Sequence, residues 1–318
     1  MSPTAGSIRG GVMSKANQKM LDAAGTVHGT IDEAPPRVDT IRRFIRVFFS
    51  RGVVVFGLVV ILALLLTAVF APFIAPHDPY QQNLDNILSK PNSEHLLGTD
   101  TLGRDNLSRI IYGSRTSLLV GVVAIFIAAA LGMLFGLIAG YFGGITNMLI
   151  MRLIDALMSF PMILLALTIA AILGGGLQNI ILALGVSLIP PYTRLMCGQT
   201  LSVKQNDYVM AGRAMGAKNS RIMLRHVAPN CFPPLIVLMT MMMGSAILAE
   251  AGLSFLGIGI TPPGAAWGAM VSEGRRYLLS SPILSFAPGL AIMLVVFAFN
   301  MVGDGLRDAL DPRLRGSL

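Results

Sequence analysis

The chain has 318 residues, of which 54% are hydrophobic and only 13% charged, and it carries a formal net charge of +8. That leaves too little polar surface to cover a soluble globule of this size, so the composition excludes a water-soluble domain and indicates an integral membrane protein. Six windows of roughly 20 apolar residues can be placed, each long enough for one spanning helix. Backbone groups in lipid must be paired internally, which favours an all-helical bundle. The basic excess follows topology rather than an anionic ligand. Of the 24 Lys and Arg residues, 18 fall in segments that alternate with the spans on one side, and 6 fall in segments on the other. Both termini are therefore expected inside.

Residues 1–40 are rich in Gly, Ala, Ser, Asp and Lys, hold no apolar run long enough for a signal peptide, and are expected to be a disordered cytoplasmic tail. Arg42, Arg43, Arg46 and Arg51 precede the first apolar run at 52–71, within a segment 41–76 that closes with Pro72 and Pro76. The stretch 77–115 is polar, has turn residues at Pro79, Pro91, Gly98, Gly103 and Gly113, and reads as a folded external segment. In it, Asp100, Arg104, Asp105 and Arg109 are spaced for a local salt-bridge network.

The region 116–303 holds the remaining five spans. The second span, 116–140, has Gly132 and Gly136 at a spacing that lets another helix approach closely. The third, 147–173, carries Arg152 and Asp155 three positions apart on one face, where they are expected to pair. The fourth, 177–197, is interrupted by Pro190 and Pro191, which should bend it. The fifth, 231–252, contains four methionines and one acid, Glu250, open to two roles: lining a passage or making a structural hydrogen bond. A Gly- and Pro-rich outer segment with Trp267 follows, expected as a hairpin or a short amphipathic helix at the interface. The last span, 284–302, leads into a cytoplasmic tail at 304–318.

Between the fourth and fifth spans lies the polar stretch 198–230. Asn206 and Asp207 are positioned to cap a short helix ending at Met215, Gly216 supplies a left-handed stop, and Asn219 and Ser220 can cap a second helix bearing Arg221 and Arg225 one turn apart. A basic helix-turn-helix can bind nucleic acid, but both flanks of this one enter the bilayer, so no nucleic-acid partner is expected. The four histidines, at 28, 77, 95 and 226, show no metal-ligand spacing and are divided between the two faces, so no metal site is expected. Cys197 and Cys231 are not expected to form a disulfide.

Two sets of residues carry a family resemblance. His95-Leu96-Leu97-Gly98-Thr99-Asp100, Gly103-Arg104-Asp105, Leu107-Ser108-Arg109 and Tyr112-Gly113-Ser114-Arg115 resemble, nearly residue for residue, the segment after the first span in C-type permease subunits of dipeptide, oligopeptide and nickel ABC importers. The runs 254–259 and 303–312 resemble the same family. The stretch from Tyr208 to Ala217 resembles the family's coupling loop through Ala211, Gly216 and Pro229, whereas Met210 and Gly212 stand where a glutamate and an alanine are usual. The resemblance covers about 43–315. It implies a six-helix type I importer permease whose coupling helix, with Tyr208, Met210, Ala211, Gly212, Arg213, Ala214, Gly216 and Ala217, docks on an ATPase. It also implies a second permease subunit in a heterodimer, two ATP-binding subunits that use ATP and Mg, and a periplasmic or lipid-anchored substrate-binding protein. Asp100, Arg104, Asp105 and Arg109 become candidates to face that receptor, and Glu250 a candidate for the passage. The implied location is the bacterial inner membrane and the implied cargo di- or oligopeptides, with glutathione or nickel chelates as alternatives.

The chain has no Gly-x-x-x-x-Gly-Lys-Ser/Thr loop and no zincin or serine-hydrolase motif, so it is not expected to bind ATP or act as an enzyme. A stand-alone secondary transporter is the remaining alternative, but the internal repeats and midplane charges that such a fold shows are not seen.

Overall fold

The structure is a computed structural model that describes residues 37–260 and 263–310. The chain divides between Arg42 and Arg43, and the fold set out here is that of the second unit, 43–318. The expected disordered tail lies outside the described residues, apart from the start of a helix, α1 (Arg37–Phe48), which crosses the division. The helices that follow are α2 (Gly52–Ile74), α3 (Asn106–Phe142), α4 (Gly144–Met158), α5 (Met162–Leu173), α6 (Leu177–Ser187), α7 (Ile189–Val203), α8 (Asp207–Ala214), α9 (Asn219–Ile222), α10 (Ala228–Phe255), α11 (Trp267–Gly274) and α12 (Ile283–Leu310). Among the described residues the only strand-like pairing is one isolated bridge, Thr99 to Asp105.

Five helices are long and apolar enough to cross a membrane, counting α6 with α7 and α9 with α10 as continuous, and the bent pair α4–α5 makes a sixth. Their boundaries follow local chemistry. Helix α2 runs through Pro72 and stops at Ile74 because Ala75, which precedes Pro76, is pushed into extended conformation (φ −66°, ψ 123°). Helix α3 starts ten residues before the expected span, where the Asp105 carboxylate accepts from the Ser108 N–H as an N-cap. At 37 residues it is roughly 55 Å long at 1.5 Å per residue, well beyond the apolar thickness of a bilayer.

The third span is not one straight helix. Phe160-Pro161 breaks it, since Pro161 has no N–H to donate and drives the residue before it away from helical geometry, and α4 and α5 meet at 88°. The fourth span breaks at Leu188, within the apolar stretch rather than at the polar stretch beyond it, because Pro190 and Pro191 fit only the first turn of a restarted helix. Beyond the polar stretch, α9 passes through one wide π turn (Met223–Val227) straight into α10, so Pro229 lies inside a continuous rod instead of at a fresh start.

Helix α3 is the centre of the bundle. A stripe of glycines on it lets α7 lie almost in backbone contact. A Cβ placed on Gly132 would sit 2.5 Å from Tyr192 Cβ, on Gly136 2.5 Å from the Thr193 carbonyl oxygen, and on Gly140 2.7 Å from Thr200 Cβ. Helices α10, α12 and α2 pack around this pair. Gly303 of α12 is seated against Met241, and Gly57 of α2 against the carbonyl of Ala298. The outward faces carry large apolar side chains, among them Val59, Leu62, Val69 and Phe73 of α2, as a lipid-facing surface requires.

The polar segments gather at two ends. At one end the 77–105 segment meets α11, whose Trp267 indole N–H donates to the Ile110 carbonyl at 2.9 Å and whose ring rests on Gly113. Gly176 joins this end by donating its N–H to the Gly259 carbonyl at 3.2 Å. Helix α11 is thus wedged into the bundle, with Trp267 buried, and does not lie on the interface as the sequence suggests. At the other end are α8, α9, the α3–α4 turn and an ion pair of Arg51 with Asp308 at 3.0 Å. This division matches the alternation expected from the positive charges.

Candidate functional site

Helix α8 and the turn after it form the expected knob. Its stop is a full Schellman arrangement: Gly216 has φ +75°, its N–H donates to the Arg213 carbonyl at 2.9 Å, and the Ala217 N–H donates to the Gly212 carbonyl at 3.1 Å. Its start is less well capped than expected. Asn206 occupies the N-cap with backbone geometry alone, its carbonyl accepting from Val209 N–H at 2.9 Å, while its side chain makes no cap. Lys218, not Asn219 or Ser220, is the N-cap of α9, and it too offers no side-chain bond.

The knob has an inner and an outer face. Val209, Ile222 and Val227 are buried in one core with Tyr141, Tyr192, Met196 and Val203 of α3 and α7. Tyr208, Met210, Ala211, Arg213, Ala214, Met215 and Gly216 are exposed, Ala217 is half-buried, and Gly212 is buried although a Cβ on it would meet no atom within 4 Å. The outward face therefore combines small residues with Tyr208, Met210 and Met215, and it has room to be approached closely.

Tyr141, at the end of α3, fixes the knob to the bundle, a role the sequence did not disclose. Its hydroxyl donates to Asn219 Oδ1 at 2.9 Å and its carbonyl accepts from Lys204 Nζ at 2.6 Å. The Arg213 guanidinium lies 5.0 Å from its ring centroid. Three elements of the knob thus converge on one residue of the central helix. Packed side chains, and not a loose loop alone, therefore join α8 to α3.

At the opposite end, Asp100, Arg104, Asp105 and Arg109 form a buried network instead of an outward display, each 2–5% exposed. Asp100 Oδ2 lies 2.6 Å from Arg104 Nε and 3.4 Å from Arg109 Nε, while its Oδ1 accepts from the Leu102 and Arg104 N–H groups at 2.9 and 3.0 Å. Glu273 of α11 extends the network, 3.6 Å from Arg104 Nη2 and hydrogen-bonded to the Thr101 hydroxyl. Asp105 caps α3, accepts the Ser108 hydroxyl at 2.7 Å and faces His95 Nδ1 at 3.0 Å. Buried charges persist only when paired in this way, so these residues brace the 77–105 segment on the bundle.

One other expected position differs, and one takes the second of the two roles left open for it. Asp155 does not pair with Arg152; it meets Arg194 of α7 at 2.6 Å, because α4 folds back beside α7 and brings the longer-range partner within reach. Glu250 is wholly buried, with one oxygen accepting from the Ser254 hydroxyl at 2.7 Å, and presents no atom at the surface of this chain. Cys197 and Cys231 are buried and unpaired. His77 and His95, 18 positions apart and without metal-ligand spacing in the sequence, are brought together with Glu94 in a group that could hold a metal ion, which the sequence did not lead one to expect; His28 lies outside the described residues.

A family model described as the binding-protein-dependent transport system inner membrane component matches residues 132–316, and one described as the N-terminal TM domain of oligopeptide transport permease C matches 40–91. The chain belongs to the binding-protein-dependent permease family. The dipeptide transport system permease protein of Alkalihalophilus pseudofirmus is 45% identical over 259 residues, 81% of this chain and 85% of the relative. The glutathione transport system permease protein of Escherichia coli O6:K15:H31 is 44% identical over 276 residues, 86% of this chain and 90% of the relative. The corresponding protein of Shigella dysenteriae serotype 1 is 43% identical over the same length. This permease is therefore an all-helical, multi-pass inner-membrane subunit of an ATP-binding cassette importer of the type I class, and ATP hydrolysis belongs to partner ATPases. Membership implies ATPase partners, a substrate-binding protein and a second permease.

Proposed function

We propose that this permease forms one half of a peptide passage, pairing with a different permease chain above two ATPase subunits and receiving di- or oligopeptides from a periplasmic or lipid-anchored binding protein. The observation that carries this is the knob. A short helix with an exposed small-residue face, tied to the central helix through Tyr141, is the arrangement needed to convert movement of a cytoplasmic partner into movement of spans. In this reading Tyr208, Met210, Ala211, Arg213, Ala214, Met215 and Gly216 meet the ATPase, which binds ATP and Mg. Gly212 and Ala217 shape the helix end. The concentration of Lys and Arg at the knob end supports a reading in which that end and both termini face the cytoplasm.

The passage itself belongs to the face shared by α4 and α7. Arg194 and Asp155 are about half exposed within apolar helices, and such a pair is costly against lipid but acceptable against water or a second chain. A glutathione cargo is the second reading, favoured by the 44% identity to the glutathione permease over a slightly longer stretch.

The test is uptake by proteoliposomes holding the complete importer and its binding protein. ATP-dependent entry of a labelled dipeptide, displaced by unlabelled dipeptide and left intact by excess glutathione, is expected. Displacement by glutathione alone would transfer the cargo to the second reading, and uptake that continues without the ATPase subunits would rule out both.

A further inference from the structure

We propose that His77, Glu94 and His95 form a binding site for one divalent transition-metal ion of the zinc type on the external end of this permease. One ligand atom from each of the three residues lies within 4.8 Å of the other two. Two imidazoles and a carboxylate, with a position left over for water, are a donor set suited to zinc. The separation is wider than in a closed site, so the ion would draw the three together, and Glu94, exposed on a short loop, is the member free to move.

The surroundings are arranged as metal-binding histidines require. His95 is buried and its Nδ1 lies 3.0 Å from Asp105 Oδ1, so an Nδ1–H donated there leaves Nε2 with the lone pair that binds metal. Asp105 is itself held, its other oxygen accepting the Ser108 N–H at 2.8 Å and the Ser108 hydroxyl at 2.7 Å. His77 is placed by its backbone N–H, which donates to Ser108 Oγ at 3.1 Å, and its ring lies 4.7 Å from that of His95. His77 Nδ1 is buried with no hydrogen-bond partner among the described residues, 3.8 Å from Asp105 Oδ1. An unsatisfied imidazole nitrogen beside a second imidazole and a carboxylate is a polar group lacking its partner, and a cation supplies one. Asn92 presents the remaining two ligands, its Oδ1 accepting from the Glu94 and His95 N–H groups at 2.9 and 2.7 Å. His77 is about one-third exposed, and a groove of about 490 Å³ lined by Pro76, Asp78, Tyr80 and Tyr112 leads to it from solvent.

The position gives the ion something to do. His77 lies three residues past the end of α2, Glu94 and His95 lie on the loop before α3, and Asp105 is the cap of α3. A bound ion would clip the exit of one span to the start of the next, at the end where the external segment is braced. This goes beyond the transport reading and does not depend on it, since the readout is metal occupancy.

The experiment uses the full-length chain purified in detergent and stripped with chelator, titrated with zinc against a chromophoric competitor. One zinc per chain with micromolar or tighter affinity is expected, weakened at least tenfold by Glu94→Gln and by His77→Gln and unchanged by His226→Gln at the other end. The test variants alter one residue that is about one-third exposed and one that is exposed, and a retained melting temperature without metal confirms that they fold. Absence of saturable zinc binding, or equal affinity in wild type and both variants, would overturn the site.

Discussion

Asp100→Ala is expected to cost this permease most of its folded yield. One carboxylate neutralises Arg104 at 2.6 Å and Arg109 at 3.4 Å while accepting two backbone N–H groups, and all three side chains are buried. Removing it leaves two buried guanidinium groups with only the more distant, partly exposed Glu273 as a neighbouring carboxylate. Truncating one partner of a buried ion pair typically costs about 3–5 kcal/mol, because the charge left behind keeps its desolvation penalty. That is a large fraction of the roughly 5–15 kcal/mol that holds a typical domain together. Asp100→Asn, which keeps an oxygen for the Leu102 and Arg104 N–H groups, should lose less. The measurement is the monodisperse fraction after detergent extraction together with the melting temperature. A melting temperature equal to wild type in Asp100→Ala would mean that the network contributes nothing.

The second large effect is on coupling and leaves folding intact. Gly212→Trp adds an indole where a Cβ meets nothing within 4 Å in this chain, so the protein should insert and fold normally. The bulk then projects at a helix whose proposed partner needs close approach. Transport by the reconstituted complex should fall to background, and ATPase activity should no longer respond to loaded binding protein. Gly216→Val acts differently, by forcing a β-branched residue to φ +75°, which costs on the order of 1–2 kcal/mol and disrupts the Schellman stop. It should weaken coupling without adding bulk to the face. Normal transport by both variants would reduce the knob to an ordinary loop.

These two sites were legible in the sequence to different depths. Gly216 declared its left-handed turn because few other residues tolerate that conformation, and Gly132 with Gly136 declared a close helix approach from spacing alone. Which helix approaches is a tertiary fact, and α7 could not be read from it. Arg152 and Asp155 satisfied the rule for neighbours on one helix face, yet Asp155 pairs with Arg194, 39 positions away, because a stronger geometry is available once α4 folds back. Pro161 did carry the signal for the 88° break, but the unbroken apolarity on either side of it masked the turn. Asp100, Arg104, Asp105 and Arg109 were found as a cluster, whereas their inward orientation depends on α11 and Glu273, which arrive more than 150 residues later. Tyr141 gave no sign at all: an aromatic at a helix end is ordinary until Asn219 and Lys204 are placed around it.

The central claim, that α8 is where an ATPase engages this permease, is tested most directly by cross-linking in membranes that contain the complete importer. A single cysteine at Met215, which is 82% exposed beside the Gly216 turn, carries a photoactivatable maleimide, and a cysteine at Phe73, 86% exposed at the far end of α2, serves as the control. The expected result is an adduct between position 215 and an ATPase subunit, altered in yield by ATP, with no ATPase adduct from position 73. The contradicting result is no ATPase adduct from position 215, or equal adducts from both positions.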